Sequence, residues 1–314
     1  MPGPLLSADI PWLLYRSFFA LPSSIVGADG RPVNALLGTV NAILALLEPD
    51  GPLRPRVVVA CMGAEEAAYR VRLYPPYHAH REPMPEALAA QWAQAPELLQ
   101  SLAWPVVTSE GLEADDVMFS LARAESGRGG SALLLTGDRD LYGAVEERVA
   151  VLELKAKGQH ALLGPAEVRG RYGVDPAQVP DLIALRGDPS DGLPGAPGVG
   201  AKTAAELLRT YGSLEAALDV ANAHMGGAVG RMRPRVAQAL SENDALLRTF
   251  KEIATLQPID LALPPDRATD HTAGAATARA LGMPRLAERL ERLAERLERV
   301  AAAGASGPSR RSNP

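Results

Sequence analysis

The sequence holds a single cysteine, Cys61, so an internal disulfide is excluded. Aromatic residues are scarce at 4%, which leaves aliphatic side chains to fill the core. No apolar run is long enough to cross a bilayer: the longest, residues 35–47, falls short of the ~20 residues required and contains Asn41. The N-terminus shows no basic segment followed by an apolar stretch, so no secretory signal is expected. A cytoplasmic location without membrane association is the default. A positive net charge is also missing, the formal value being −5. That removes the simplest sign of nucleic-acid binding. A chain that gathers carboxylates around metal ions would, however, conceal a basic surface in the sum. His and Cys are too sparse to build a zinc cluster.

What is present reads as an α/β protein. The 314 residues suffice for one large domain or two smaller ones. Apolar strands are expected at 4–9, 56–61, 104–108, 132–136 and 149–154, alternating with helical spacing at 12–19, 33–47, 83–102 and 113–122. This alternation predicts a parallel sheet flanked by helices. Beyond about residue 175 helical patterns dominate, with one further short strand expected at 252–256. Leu286–Arg292 is repeated without change in Leu293–Arg299. Two heptads fall short of the roughly three or four that support a coiled coil, so a packed amphipathic helix is expected there. Residues 304–314 read as a disordered tail.

Carboxylates recur at the ends of these elements: Asp9, Glu113, Asp115, Asp116, Asp138, Asp140, Asp188 and Asp191. In parallel α/β sheets functional groups gather at the carboxyl ends of strands. Taken singly, Asp9 and Asp138 read as helix caps, the 113–116 acids as a solvated helix start, and Asp188 and Asp191 as turn residues. Taken together they suit a pair of divalent metals roughly 4 Å apart, which can activate water and stabilise a leaving oxygen in phosphodiester hydrolysis. Mg²⁺ or Mn²⁺ is the expected ion, because carboxylates are hard oxygen ligands.

Two further segments fit a nucleic-acid substrate. Residues 69–81 interleave Arg70, Arg72, His78, His80 and Arg81 with Tyr69, Tyr74 and Tyr77. Gly195-Ala-Pro-Gly-Val-Gly-Ala-Lys-Thr203 is a turn leading into a helix. Gly198 and Gly200 let backbone approach a phosphate, and the helix start offers free N–H groups. The P-loop spacing is absent.

Three ordered motifs resemble the 5′→3′ exonuclease and flap endonuclease family, which includes the N-terminal nuclease domain of bacterial DNA polymerase I. They are Gly111-Leu-Glu-Ala-Asp-Asp-Val117, Thr136-Gly-Asp-Arg-Asp-Leu141, and the run from Leu185-Arg-Gly-Asp-Pro-Ser-Asp-Gly-Leu-Pro-Gly195 to Thr203. Tyr15-Arg16 and Leu73–Arg81 also match, and the resemblance covers about residues 4–265. It implies a PIN-like (resolvase-like) nuclease domain at 1–175, a helix-hairpin-helix DNA-binding domain at 176–265, C-terminal helices at 266–303 and the tail at 304–314. It implies metal ligation by all the acids named above. It places Arg70, His78 and Arg81 in the catalytic apparatus and Tyr77, Gly198, Val199, Gly200, Lys202 and Thr203 on DNA, with K⁺ at the glycine turn. The expected protein is a stand-alone monomeric nuclease acting on DNA with a 5′ end, flap or nick.

The chain departs from the family pattern in three places. Met62 stands where an aspartate of the metal site is usual, His78 stands where a lysine contacts the scissile phosphate, and Ile10 replaces a glycine. An active but weakened nuclease is expected. The alternatives are a catalytically impaired protein that binds branched DNA and a PIN-like ribonuclease.

Overall fold

The computed structural model describes residues 3–48, 51–155, 159–225 and 232–305. Its strands are β1 (Leu5–Asp9), β2 (Val57–Cys61), β3 (Val106–Val107), β4 (Ala132–Leu135), β5 (Val149–Leu154) and β6 (His160–Leu163), in the sheet order β3-β2-β1-β4-β5-β6. Every residue of β1 and β2 is buried. That is the condition of parallel strands covered on both faces, and it explains their near-continuous aliphatic sequences. β4 runs parallel to β1, with Leu5 opposite Ala132 and Ala8 opposite Leu135. β5 runs parallel to β4, with Leu135 opposite Leu152. β6 is antiparallel to β5 and makes the sheet mixed. It is short and largely solvent-facing: of its Ala161-Leu-Leu163 run only Leu163 is buried.

The chain divides into two compact units that do not follow sequence order. The first comprises Met1–Trp12, Cys61–Pro83 and Val107–Leu263, so residues on both sides of position 175 belong to it. It carries β1, β4, β5 and β6 with helices α3 (Ala68–Leu73), α5 (Ala114–Gly127), α6 (Pro165–Tyr172), α7 (Val179–Arg186), α8 (Ala201–Tyr211), α9 (Leu214–Met225), α10 (Pro234–Glu242) and α11 (Asp244–Ala254). The short strand expected at 252–256 does not form. Leu247, Phe250 and Ala254 keep helical spacing and are buried, so burial holds Glu252–Ala254 in α11.

The second unit comprises Leu13–Ala60, Met84–Val106 and Pro264–Pro314. It holds α2 (Asn34–Leu47), α4 (Glu86–Ser101), α12 (His271–Ala280) and α13 (Pro284–Ala305), while α1 (Ile10–Ala20) begins in the first unit and ends in the second. Buried Gln91 on α4 satisfies the open start of α2: its Oε1 accepts the Ala35 N–H at 2.7 Å and its Nε2 donates to Asn34 Oδ1 at 3.2 Å. The heptad repeat lies on α13. Leu286, Leu290 and Leu293 are buried and Leu297 is 42% exposed, the pattern of a packed amphipathic helix. Of the expected tail, residues 306–314 lie outside the described residues.

Candidate metal and DNA site

All the acids singled out in the sequence fall in the first unit. Asp9 ends β1, and Asp138 and Asp140 follow β4, its parallel neighbour. Glu113 precedes α5, whose first turn holds Asp115 and Asp116. Asp188 and Asp191 lie on the loop after α7. That loop is closed by an antiparallel bridge between Asp188 and Leu193. Gly187 (φ 82°) and Gly195 (φ 68°) pack backbone to backbone there: a Cβ on Gly195 would fall 2.3 Å from the Gly187 nitrogen. Side chains at either position would open the turn that carries both acids.

The acids separate into those already engaged and those that are not. Asp9 is buried and accepts the Trp12 N–H at 2.9 Å and the Thr136 hydroxyl at 2.7 Å. Thr136 Oγ1 in turn accepts the Asp138 N–H at 3.0 Å, and Asp138 Oδ1 accepts the Asp140 N–H at 3.0 Å. One chain of hydrogen bonds therefore fixes Asp9, Asp138 and Asp140. Thr136 belongs to a recognised motif, but its linking role is invisible in sequence. Gly137 is required beside it, because a Cβ there would meet the Trp12 indole at 2.4 Å.

The side chains of Asp115 and Asp140 accept no hydrogen bond among the described residues. Burial raises the carboxyl of Asp115 well above its ordinary range, and the charges of Asp138, Asp9, Glu113 and Asp140 raise it further. Burial likewise raises Asp140 well above, with Asp138, Asp191 and Asp188 adding to it. Asp138 is raised by burial and by Asp191 and Asp188, against the hydrogen bond from Asp140 and the Arg81 charge. Burial pushes Asp9 up to about 7 despite its two hydrogen bonds. These like-charged groups share one field, which the charges of Arg81 and Arg70 offset only in part.

Asp116 and Glu113 face elsewhere. Asp116 is fully buried in a bidentate pair with Arg70, at 3.0 and 2.9 Å, and also accepts the Gln257 N–H at 2.8 Å. Arg70 further pairs with Glu113 at 2.9 Å and donates through Nε to the Ile253 carbonyl at 3.0 Å. Glu113 also accepts the Ala67 N–H at 2.6 Å and the Tyr77 hydroxyl at 3.2 Å. Arg70 and Tyr77 are thus buried structural partners of α5 and do not present their polar groups to solvent.

His78 is buried too. Its Nε2 lies 3.1 Å from Asp191 Oδ1, its N–H donates to the Asp191 carbonyl, and its ring stacks on Tyr77 at 3.8 Å. Its backbone is left-handed (φ 56°), an uncommon conformation for a residue with a side chain. Nδ1 is buried and has no hydrogen-bond partner among the described residues. Arg81, like Arg72, is exposed: its side chain is 45% exposed and reaches Asp191 Oδ1 at 3.2 Å. Asp188 accepts the Ser190 N–H at 2.9 Å and stands 3.5 Å from Arg186. At the end of β2, the Cys61 thiol sits 3.0 Å from the Ser7 hydroxyl and is pushed by burial up to about 12. Met62 follows it, buried, its N–H on the Val107 carbonyl.

Among the described residues no three acidic, His or Cys side chains converge at metal-holding distance. The donor chemistry nevertheless fits a divalent cation. Asp115 and Asp140 offer uncommitted hard oxygens, and the cluster's charged form is opposed by burial and self-repulsion until a cation arrives. The glycine turn lies in the same unit. Gly198 (φ 75°) and Gly200 are exposed, Val199 is buried, and α8 starts directly after with Lys202 exposed and Thr203 half-buried. The carbonyls of Gly198 and Val199 accept no hydrogen bond among the described residues.

Comparison with known proteins bears on the family and the fold. Residues 4–173 match the family model "5'-3' exonuclease, N-terminal resolvase-like domain", and residues 174–272 match "5'-3' exonuclease, C-terminal SAM fold". A 5'-3' exonuclease of Mycobacterium tuberculosis is 35% identical over 93% of this chain and 98% of its own. One of Streptomyces coelicolor is 37% identical over 87% and 92%. The fold is shared with solved structures, T5 5'-exonuclease and the catalytic core of Rad2 among them. T5 5'-exonuclease with bound zinc has 19% identity and a TM-score of 0.59 over 93% of this chain and 98% of that one. The catalytic core of Rad2 in complex with DNA substrate has 15% identity and a TM-score of 0.61 over 93% and 92%. With both family models matched in sequence order and relatives of this identity along nearly their whole length, the chain belongs to the 5'-3' exonuclease family.

Proposed function

We propose that this protein hydrolyses DNA phosphodiester bonds at 5′ ends and 5′ flaps with divalent metal ions. The observation that carries the reading is the unbalanced carboxylate cluster of Asp9, Asp115, Asp138 and Asp140 at the carboxyl ends of β1 and β4 and the start of α5. Asp115 and Asp140 would hold Mg²⁺ or Mn²⁺ directly, with Asp138, Asp188 and Asp191 completing two sites. Held there, the ions would supply an activated water and charge stabilisation at the leaving oxygen. Thr136 holds Asp9 and Asp138 in register. Asp116 and Glu113 anchor Arg70 and serve as supports of the site. Arg81 orients the phosphate, while His78 and Tyr77 brace the loop of Asp191. The α8 start, with Lys202 and Thr203, grips a phosphodiester backbone. The open carbonyls of Gly198 and Val199 suit K⁺. Residues 1–175 form the nuclease domain, 176–265 the DNA grip and 266–303 its helical supplement. The working form is a monomer. A single buried cysteine fits a reducing compartment, and we assign the cytoplasm.

Met62 and the lack of a converged ligand triad among the described residues favour one second reading, a protein that binds branched DNA without cutting it. Cleavage of a 5′-flap duplex in Mg²⁺ separates the two. Cutting by the native chain, its loss in Asp138→Asn, and a faster His78→Lys/Met62→Asp double variant are expected. Flap binding without cleavage in Mg²⁺ or Mn²⁺, unaffected by Asp138→Asn, would establish the binder. Preference for a matched RNA flap would establish a ribonuclease.

A further inference from the structure

A pocket of about 490 Å³ opens beside the carboxylate cluster, lined by Trp12, Gly137, Arg139, Lys155, Arg171 and Tyr172 together with Glu153 and Leu154. Its volume falls within the roughly 300–1,000 Å³ of small-ligand sites. Its composition is unusual for this chain. In a sequence with 4% aromatics and a net charge of −5, it gathers two aromatic rings and three cations around one acid.

That acid is already committed. Glu153 is buried and accepts from Tyr142, from Lys155 and from Arg171 at 2.7 Å. Burial alone would raise its carboxyl, but Arg171 and Lys155 outweigh that and hold it below its ordinary range. The pocket therefore keeps an excess of positive charge. Lys155 and Arg171 are 44% and 39% exposed, and the exposed Arg139 guanidinium has no partner among the described residues. The aromatic wall is fixed by the same turn that positions the acids. A Cβ at Gly137 would fall 2.4–2.6 Å from three atoms of the Trp12 indole, so the ring lies directly on the Gly137 backbone. The residues flanking Gly137 are Thr136, which holds Asp9, and Asp138.

We propose that this pocket is a nucleotide subsite, taking one nucleotide of the strand being cut with its base against Trp12 and its phosphate on Arg139 and Lys155. An aromatic face accepts any base, and cations at its rim select the phosphate that the base carries. A bare anion site would need no indole, and a purely apolar ligand would need none of the three cations. The proposal rests on the nuclease reading for the identity of the strand.

The test is an equilibrium titration of the full chain with 5′-dAMP in EDTA, followed by quenching of tryptophan emission, with deoxyadenosine and inorganic phosphate as separate arms. Saturable quenching by dAMP is expected, with deoxyadenosine and phosphate each binding at least about fivefold more weakly, the lower end for losing one base stack or its charged counterpart. Trp12→Leu should abolish the quench. Arg139→Ala, on an exposed side chain that leaves Trp12 in place, should weaken dAMP at least about fivefold and leave deoxyadenosine unaffected. Quenching unchanged in both variants would overturn the proposal. So would phosphate competing as well as dAMP while deoxyadenosine fails to bind, which marks a simple anion site. Because no metal is present and no bond is cut, a chain without nuclease activity would still decide the matter.

Discussion

Thr136 donates its hydroxyl proton to Asp9 at 2.7 Å and, with the same oxygen, accepts the Asp138 N–H at 3.0 Å. A fully buried side chain thereby locks the end of β1 to the turn after β4, two elements far apart in sequence and adjacent in the sheet. Thr136→Val keeps the shape and removes both bonds. It leaves one carboxylate oxygen and one N–H unsatisfied, at a cost of about 1–3 kcal/mol. It also frees Asp138 to shift, and displacement of a reacting group by about 1 Å costs on the order of 100-fold in rate. Thr136→Ser retains the hydroxyl and should stay within several-fold of the native rate. Single-turnover cleavage of a flap duplex and urea midpoints check this. A fully active valine variant would sink it.

Arg70 and Asp116 form a buried bidentate pair, the arginine 3% and the aspartate 0% exposed. Removing one partner of such a pair strands the other charge and costs about 3–5 kcal/mol. Arg70→Ala should therefore destabilise the first unit by that order, and Arg70→Lys should rescue poorly, because an ammonium cannot make the paired bonds. Arg70→Met/Asp116→Leu, which removes both charges, should recover much of the loss. Urea denaturation of the four proteins tests the coupling. An Arg70→Ala protein within about 1 kcal/mol of native stability would contradict the buried pair.

These two relationships show what the sequence could and could not reveal. The strand ends and their acids were legible because each is local: an aliphatic run with a carboxylate within three residues of its end, as at Leu135–Asp138. The division of labour between Asp115 and Asp116 was not. Adjacent helical residues point about 100° apart, so one joins the carboxylate cluster and its neighbour turns to Arg70. Which way each points is set by packing from distant segments. The basic and aromatic run at 69–81 read as open to substrate for the same reason. Arg70, Tyr77 and His78 are buried by contacts with Asp116, Glu113 and Asp191, all more than a helix length away along the chain. Of the residues expected in the catalytic apparatus there, Arg81 keeps the exposure of a phosphate contact, being 45% exposed. The position of the Trp12 ring is equally invisible in sequence, because it is set by packing on Gly137 of another strand end.

The carboxylate cluster makes stability depend on pH in a direction opposite to ordinary surface ion pairs. Asp9 is raised by burial to about 7 from an unfolded value near 3.9, and Asp115, Asp138 and Asp140 are also raised. Between the two values the folded chain binds more protons than the unfolded one, so stability falls as pH rises through that window. Asp244 and Glu215 act in the other sense. Their carboxyls are held below the ordinary range, Asp244 chiefly by its hydrogen bond from Arg248 and Glu215 by Lys251 against the effect of burial. Their contribution is complete above about pH 5.5, beyond the unfolded carboxyl range, and is lost progressively below it. In EDTA the melting temperature should therefore be higher at about pH 5.5 than at about pH 8. Saturating Mg²⁺ at the higher pH should raise it and flatten the difference, since a cation bound only by the folded state stabilises that state and favours ionised ligands. Asp138→Asn should lose cleavage yet melt higher than the native chain in EDTA at about pH 8, because it removes one of the repelling charges. Differential scanning calorimetry across the two pH values, with and without Mg²⁺, measures each arm. A metal-free melting temperature that stays level or climbs from about pH 5.5 to 8 would show that these acids do not share an unbalanced field.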